Sequence, residues 1–193
     1  MENDVKEFLS ELLKQLKSID YIKPEDIPNI DLYMDQVTTF MEDNLASTKR
    51  HDDDKILTKT MINNYTKNHL LPPPDKKKYS RDHILLMIFI YYFKNFLPIS
   101  DIKTILGPLT DKYFHKDADL NLEAIYTTLF SKEDTFVQEV LENVMKQFHM
   151  SADLFPDAPK ADQASLREFT FICMLSLDIY LKKQLIEAIL DKK

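Results

Sequence analysis

A single glycine in 193 residues, Gly107, is the tightest constraint on what this chain can become. Two-residue hairpins, phosphate loops and many tight turns need positive φ, which glycine adopts without steric cost. A chain with one such residue is poorly equipped for sheets. It also cannot build the glycine signatures of dinucleotide or nucleoside triphosphate sites. The composition therefore predicts an all-α fold. Apolar residues at 44% and charged residues at 30% are ordinary for a globular chain with room for a core.

Periodicity divides the chain into three parts. Residues 1–22 form an amphipathic N-terminal helix with Val5, Leu9, Leu12, Leu16 and Ile19 on one stripe. Residues 23–107 make the central domain. There, Pro24 and Pro28 precede a helix carrying Ile30, Tyr33, Met34, Val37, Phe40, Met41 and Leu45, and residues 46–55 are an exposed connection. Thr58 is placed to cap a new helix, with Leu57 and Ile62 at the positions of a hydrophobic staple; Leu71-Pro72-Pro73-Pro74 ends it. Ser80 caps an apolar helix, 81–96, whose run ILLMIFIYYF is about half the length of a bilayer span and reads as core. A short helix, DIKTIL, precedes Gly107-Pro108. Residues 108–193 are an acidic helical domain, ending in a helix of roughly 28 residues from Ala164 to Lys192. Its middle, FTFICMLSLDIYL, is apolar almost all round and so belongs inside the fold or inside an interface.

Charge singles out one stretch. From Lys55 to Arg81 there are seven Lys or Arg against one acid, Asp75, a local +6 in a chain of −7, which leaves −13 for the rest. Within it Lys59, Thr60, Asn63, Asn64 and Lys67 share the polar side of the helix that Thr58 starts, opposite Met61, Ile62 and Tyr65. Asn can pair bidentately with adenine, and Lys or Thr can bind guanine or phosphate. Lys76, Lys77, Lys78 and Arg81 follow the proline hinge and are positioned to neutralise phosphates. The expected partner is double-stranded DNA.

The run INNYTKNHLLPP at 62–73, followed by KKKYS at 76–80, resembles the DNA-binding domain of the MerR family, with its pattern L-R-Y-Y-x-x-x-G-L-L-x-P, a wing and Y-S. Ile62, Tyr65, Leu70, Leu71, Pro73, Tyr79 and Ser80 fit, and SDIKTIL stands where that family has E-E-I-x-x-L-L. The likeness covers about 50 residues, with residues 28–45 supplying a first helix. Asn63 replaces an Arg, and His69 replaces the turn Gly. The whole chain is more similar to an uncharacterised family of low-GC Gram-positive bacteria, a domain of unknown function with a MerR-like core, through TKTMINNYTK and PPPDKKKYS. The resemblance implies a winged helix-turn-helix with a recognition helix at 58–68 and a basic wing at 72–78.

Other chemistries find no residues. His51, His69, His83, His115 and His149 show no paired ligand spacing, and no nucleophile and base can be named, so neither a metal, a cofactor nor an enzyme is expected. The lone Cys173 reads as a small buried hydrophobe, and the absence of a disulfide pair or a secretory signal predicts a cytoplasmic protein. A palindromic site needs two copies, so a homodimer through 169–181 is expected. Two alternatives stand beside the regulator: a protein-interaction adaptor using the acidic helices, and a small-molecule sensor with its effector between the C-terminal helices.

Overall fold

Leu32–Tyr33 (β1) pairs antiparallel with Lys78–Tyr79 (β2), Leu32 opposite Tyr79 and Tyr33 opposite Lys78, and this small ladder sets the frame for the first half of the chain. The computed structural model describes residues 21–192 together with Ser10, Glu11 and Lys14. The amphipathic helix expected over residues 1–22 lies almost wholly outside the described residues. Seven α-helices are described: α1 (Met34–Leu45), α2 (Lys59–Lys67), α3 (Arg81–Phe93), α4 (Ile99–Tyr113), α5 (Leu122–Phe130), α6 (Glu133–Asp153) and α7 (Gln163–Leu190). The chain is mostly helical, as its composition predicts, but it is not purely so. The β1–β2 ladder is the departure, and it also shortens the helix expected from Ile30, because Tyr33 belongs to β1 and Met34 begins α1.

Contacts divide the chain into two compact units that meet at Ser131 and Lys132. The core of the first is α3. Every residue from His83 to Tyr91 is buried, because α4, α5 and β2 cover it from different sides. Burying each large apolar side chain contributes about 1.5–3 kcal/mol, so this helix dominates the stability of the unit. Phe89 meets Tyr126 of α5 edge to face at 5.6 Å, and the Tyr126 hydroxyl donates to the Ile22 carbonyl at 2.5 Å.

These contacts explain why the unit runs past the boundary expected at 107/108. Gly107-Pro108 does not end a helix; α4 runs through it, with Pro108 inside. Leu122 and Tyr126 of α5 are fully buried, so residues 108–131 complete the first core rather than begin a second.

In the second unit α6 and α7 pack antiparallel, Phe148 against Phe171 at 5.2 Å. The final helix has the predicted length, 28 residues. Of the two placements expected for its apolar middle, inside the fold or inside an interface, the fold does not supply the first. Phe171 is its only buried residue, while Phe169, Ile172, Leu177, Leu181 and Leu185 are more than half exposed. Cys173, read from sequence as a buried hydrophobe, is exposed too. The reason is geometric: a two-helix hairpin covers one side of each helix, and α7 is apolar on several. Among the described residues, no helix is long and apolar enough to cross a membrane.

Candidate functional site

The sequence starts α2 where Thr58 can cap it: its Oγ1 accepts from the Met61 N–H at 3.2 Å. Leu57, Ile62 and Tyr65 are buried, which fixes the rotation of the helix. Thr60, Asn63, Asn64 and Lys67 are thereby turned outward and exposed. None of the four side chains makes a hydrogen bond or ion pair among the described residues.

The helix ends by a specific device. Leu70 N–H donates to the Tyr65 carbonyl at 2.9 Å and His69 N–H to Thr66 at 3.1 Å, the paired bonds of a Schellman motif. That motif needs a left-handed residue after the cap, and His69 supplies it with φ 55°. The Gly-to-His departure in the motif thus keeps the turn at a steric cost of about 1–2 kcal/mol.

The lysine run is a hairpin turn, built without glycine. Lys78 N–H donates to the Asp75 carbonyl at 2.8 Å, and the two central residues, Lys76 and Lys77, have φ 47° and 67°. Positive φ at both positions defines a type I′ turn, which Asn-Gly ordinarily occupies. Both lysine side chains are exposed at its tip. The expectation that a glycine-poor chain avoids tight hairpins fails here, because lysine accepts the strain.

The remaining basic candidates are engaged. Lys59 is ion-paired with Asp35 in the first turn of α1. Lys78 lies over the Tyr33 ring at 5.3 Å, a cross-strand partner fixed by the β1–β2 register. Arg81 faces inward: one guanidinium nitrogen donates to the Ile27 carbonyl and to Asn29 Oδ1 (2.9 Å), the other to the Pro24 carbonyl (2.6 Å) and to Glu123 Oε1 (2.9 Å). It is a clamp between residues 24–29, α3 and α5. It is not available to a phosphate.

His83 holds the base of the turn. Its Nδ1 accepts from the Ser80 N–H at 3.0 Å, and its Nε2 lies 3.3 Å from the Pro73 carbonyl, which fits a neutral ring protonated at Nε2. Burial pushes its pKa below the ordinary histidine value; the Pro73 carbonyl opposes this, His115 adds to it, and Asp82 and Asp31 oppose it. Ser80 Oγ also sits 2.7 Å from His115 Nε2. Sequence reasoning missed Asp35, Tyr33 and His83 because their partners lie on other elements; only the His83 position, three after the cap Ser80, carried a local signal. Among the described residues no group of His, Cys, Asp or Glu could hold a metal ion.

These features define a helical domain with an exposed polar row on α2 and an exposed lysine turn beside a two-stranded ladder. The chain belongs to a family described as a domain of unknown function (DUF1836), whose model matches residues 22–129 and ends close to the boundary of the first compact unit after Ser131. No curated protein and no solved structure matches it.

Proposed function

We propose that the protein is a DNA-binding transcriptional regulator with a MerR-like winged helix-turn-helix, in which α1 and α2 are the helix pair, α2 reads the major groove and the Asp75–Lys78 turn is the wing. The observation that carries this reading is the free row on α2, Thr60, Asn63, Asn64 and Lys67, exposed and without side-chain partners among the described residues. The element order β1, α1, α2, β2, α3, α4 and the strained lysine turn support it. Keeping lysine where Asn-Gly costs less argues that the two charges are wanted at the tip. The role is binding rather than catalysis, and its place is the cytoplasm, where the DNA is.

A dimer follows from α7. Eight of its apolar side chains, among them Phe169, Ile172, Leu177 and Leu181, are more than half exposed, and a second copy of the helix would cover those on one side. Two copies then present two reading helices to a two-fold site.

Titrating the purified protein into labelled duplex from its own upstream region at low salt tests the reading. Saturable binding is expected, with a large loss when Lys76, Lys77 and Lys78 become Glu. Absence of binding, or binding indifferent to that charge reversal in a folded protein, overturns it.

A further inference from the structure

Resting on the DNA-binding reading of α2, we infer that its duplex is one in which two neighbouring base pairs present adenine in the major groove, one to Asn63 and one to Asn64. Thr60, Asn63, Asn64 and Lys67 stand at i, i+3, i+4 and i+7, which places them on one side of α2, opposite the buried Ile62 and Tyr65. The two carboxamides lie in the middle of that row. They belong to consecutive residues, whose Cα atoms are about 3.8 Å apart, while base pairs stack about 3.4 Å apart. The pair therefore addresses adjacent base pairs rather than a single base.

The helix itself separates these two amides from its other polar groups. Asn68 Nδ2 donates to the Asn64 carbonyl at 2.8 Å, and Thr66 Oγ1 to the Ile62 carbonyl at 3.2 Å, the bonds back to the backbone that such side chains commonly make. Asn63 and Asn64 are exposed and their side chains make no bond of this kind among the described residues. Asparagine is a weaker helix former than alanine, glutamine or lysine, so two in succession weaken α2 and return no bond to the fold. What they present outward is a planar acceptor and donor, the complement of adenine N6–H and N7.

Guanine has no comparable reader at the centre of the row. It is most often read by arginine or lysine, and the chain's three arginines stand elsewhere: Arg50 in the connection before α2, Arg81 in its clamp and Arg167 in the second unit. Lys59 is held by Asp35. Lys67 is the one cation of the row, a turn beyond the two amides, so its contact with guanine or phosphate marks the edge of the half-site.

The test incubates the full chain at low salt with a library of random-sequence duplexes and sequences the DNA it retains. Two adjacent A·T pairs should be enriched, and exchanging either for G·C should weaken binding about fivefold or more, the low end of what a bidentate pair discriminates. Asn63→Ala should erase the preference at one of the two positions and Asn64→Ala at the other. Asn64→Gln, which keeps the carboxamide, should retain adenine there, while Asn64→Asp, which accepts but cannot donate, should turn the preference to cytosine. Retention of DNA without an adenine pair, or a preference that survives both alanine variants in folded protein, overturns this inference and leaves the DNA-binding reading standing. Uniformly weaker retention with an unchanged sequence profile also overturns it, since the amides would then hold phosphates. No retained DNA at all overturns both.

Discussion

Lys59, the first residue of α2, is ion-paired with Asp35 in the first turn of α1, and both side chains remain largely exposed, at 61% and 74%. An exposed pair contributes about 0–1 kcal/mol to stability, so under the proposed function its consequence lies in binding: it occupies one cation of the proposed reading face. Asp35→Asn should leave the urea midpoint nearly unchanged and tighten DNA binding severalfold at low salt, measured by fluorescence anisotropy. Weaker or equal binding would mean that Lys59 does not approach the duplex.

At the wing, stability and binding should move in opposite directions. Replacing Lys76 by Asn and Lys77 by Gly places residues suited to positive φ in the Asp75–Lys78 turn. Stability should rise by about 1–2 kcal/mol in denaturant titrations. DNA affinity should fall, and the slope of log affinity against log salt should shrink by about 2, since two phosphate contacts are lost. An unchanged slope would remove these lysines from the interface.

Arg81 separates structural cations from binding ones. Its guanidinium bonds three carbonyl or amide oxygens and Glu123, with the side chain 17% exposed. Arg81→Met should destabilise the protein by about 2–4 kcal/mol, because Glu123 and the freed carbonyls lose their partner. Binding per folded molecule should stay within about twofold, and Arg81→Lys should recover stability only in part, lacking the planar fork. A binding defect without a stability defect would return Arg81 to the DNA face.

His83 should make the fold acid-sensitive. Its folded-state pKa lies below the ordinary value of about 6.5, so over the interval between the two the unfolded chain binds more protons. The neutral ring's contribution is therefore complete above about pH 6.5 and is lost as pH falls toward the folded-state value. Protonation also puts a hydrogen on Nδ1, the atom that accepts from Ser80 N–H, at the positive end of the α3 dipole. Urea midpoints should hold level above neutrality and drop on mild acidification; His83→Gln should flatten that drop. An equal drop in the variant would assign the effect elsewhere.

What was legible in the sequence was what local chemistry determines. Thr58, Ser80, the break at Pro72-Pro73-Pro74 and the 28-residue final helix came through because caps, breakers and apolar period act over a few residues. The β1–β2 ladder did not, since its strands are two residues long and 44 positions of chain separate Tyr33 from its next partner, Lys78, with no alternation to announce them. The boundary after Ser131 was hidden for a similar reason: Gly107-Pro108 looks like a break, yet a helix can carry proline where tertiary packing holds it. Of the candidate site, the free row on α2 was readable from helical spacing. The engagement of Lys59, Lys78 and Arg81 was not, because each partner is remote in sequence.

The Arg81 clamp also bears on the order in which the domain can be finished during synthesis. Pro24 and Ile27, near one end of the unit, and Glu123, near the other, meet the same guanidinium. A nascent chain that has emerged through α4 already holds both helices of the proposed reading element and the lysine turn, but not the carboxylate that closes the ring or the Tyr126 that binds Ile22. Long-range closure of this kind is slow and comes last. Truncation between α4 and α5 should therefore yield a chain with all its candidate contact residues but without the contacts that close the unit around them.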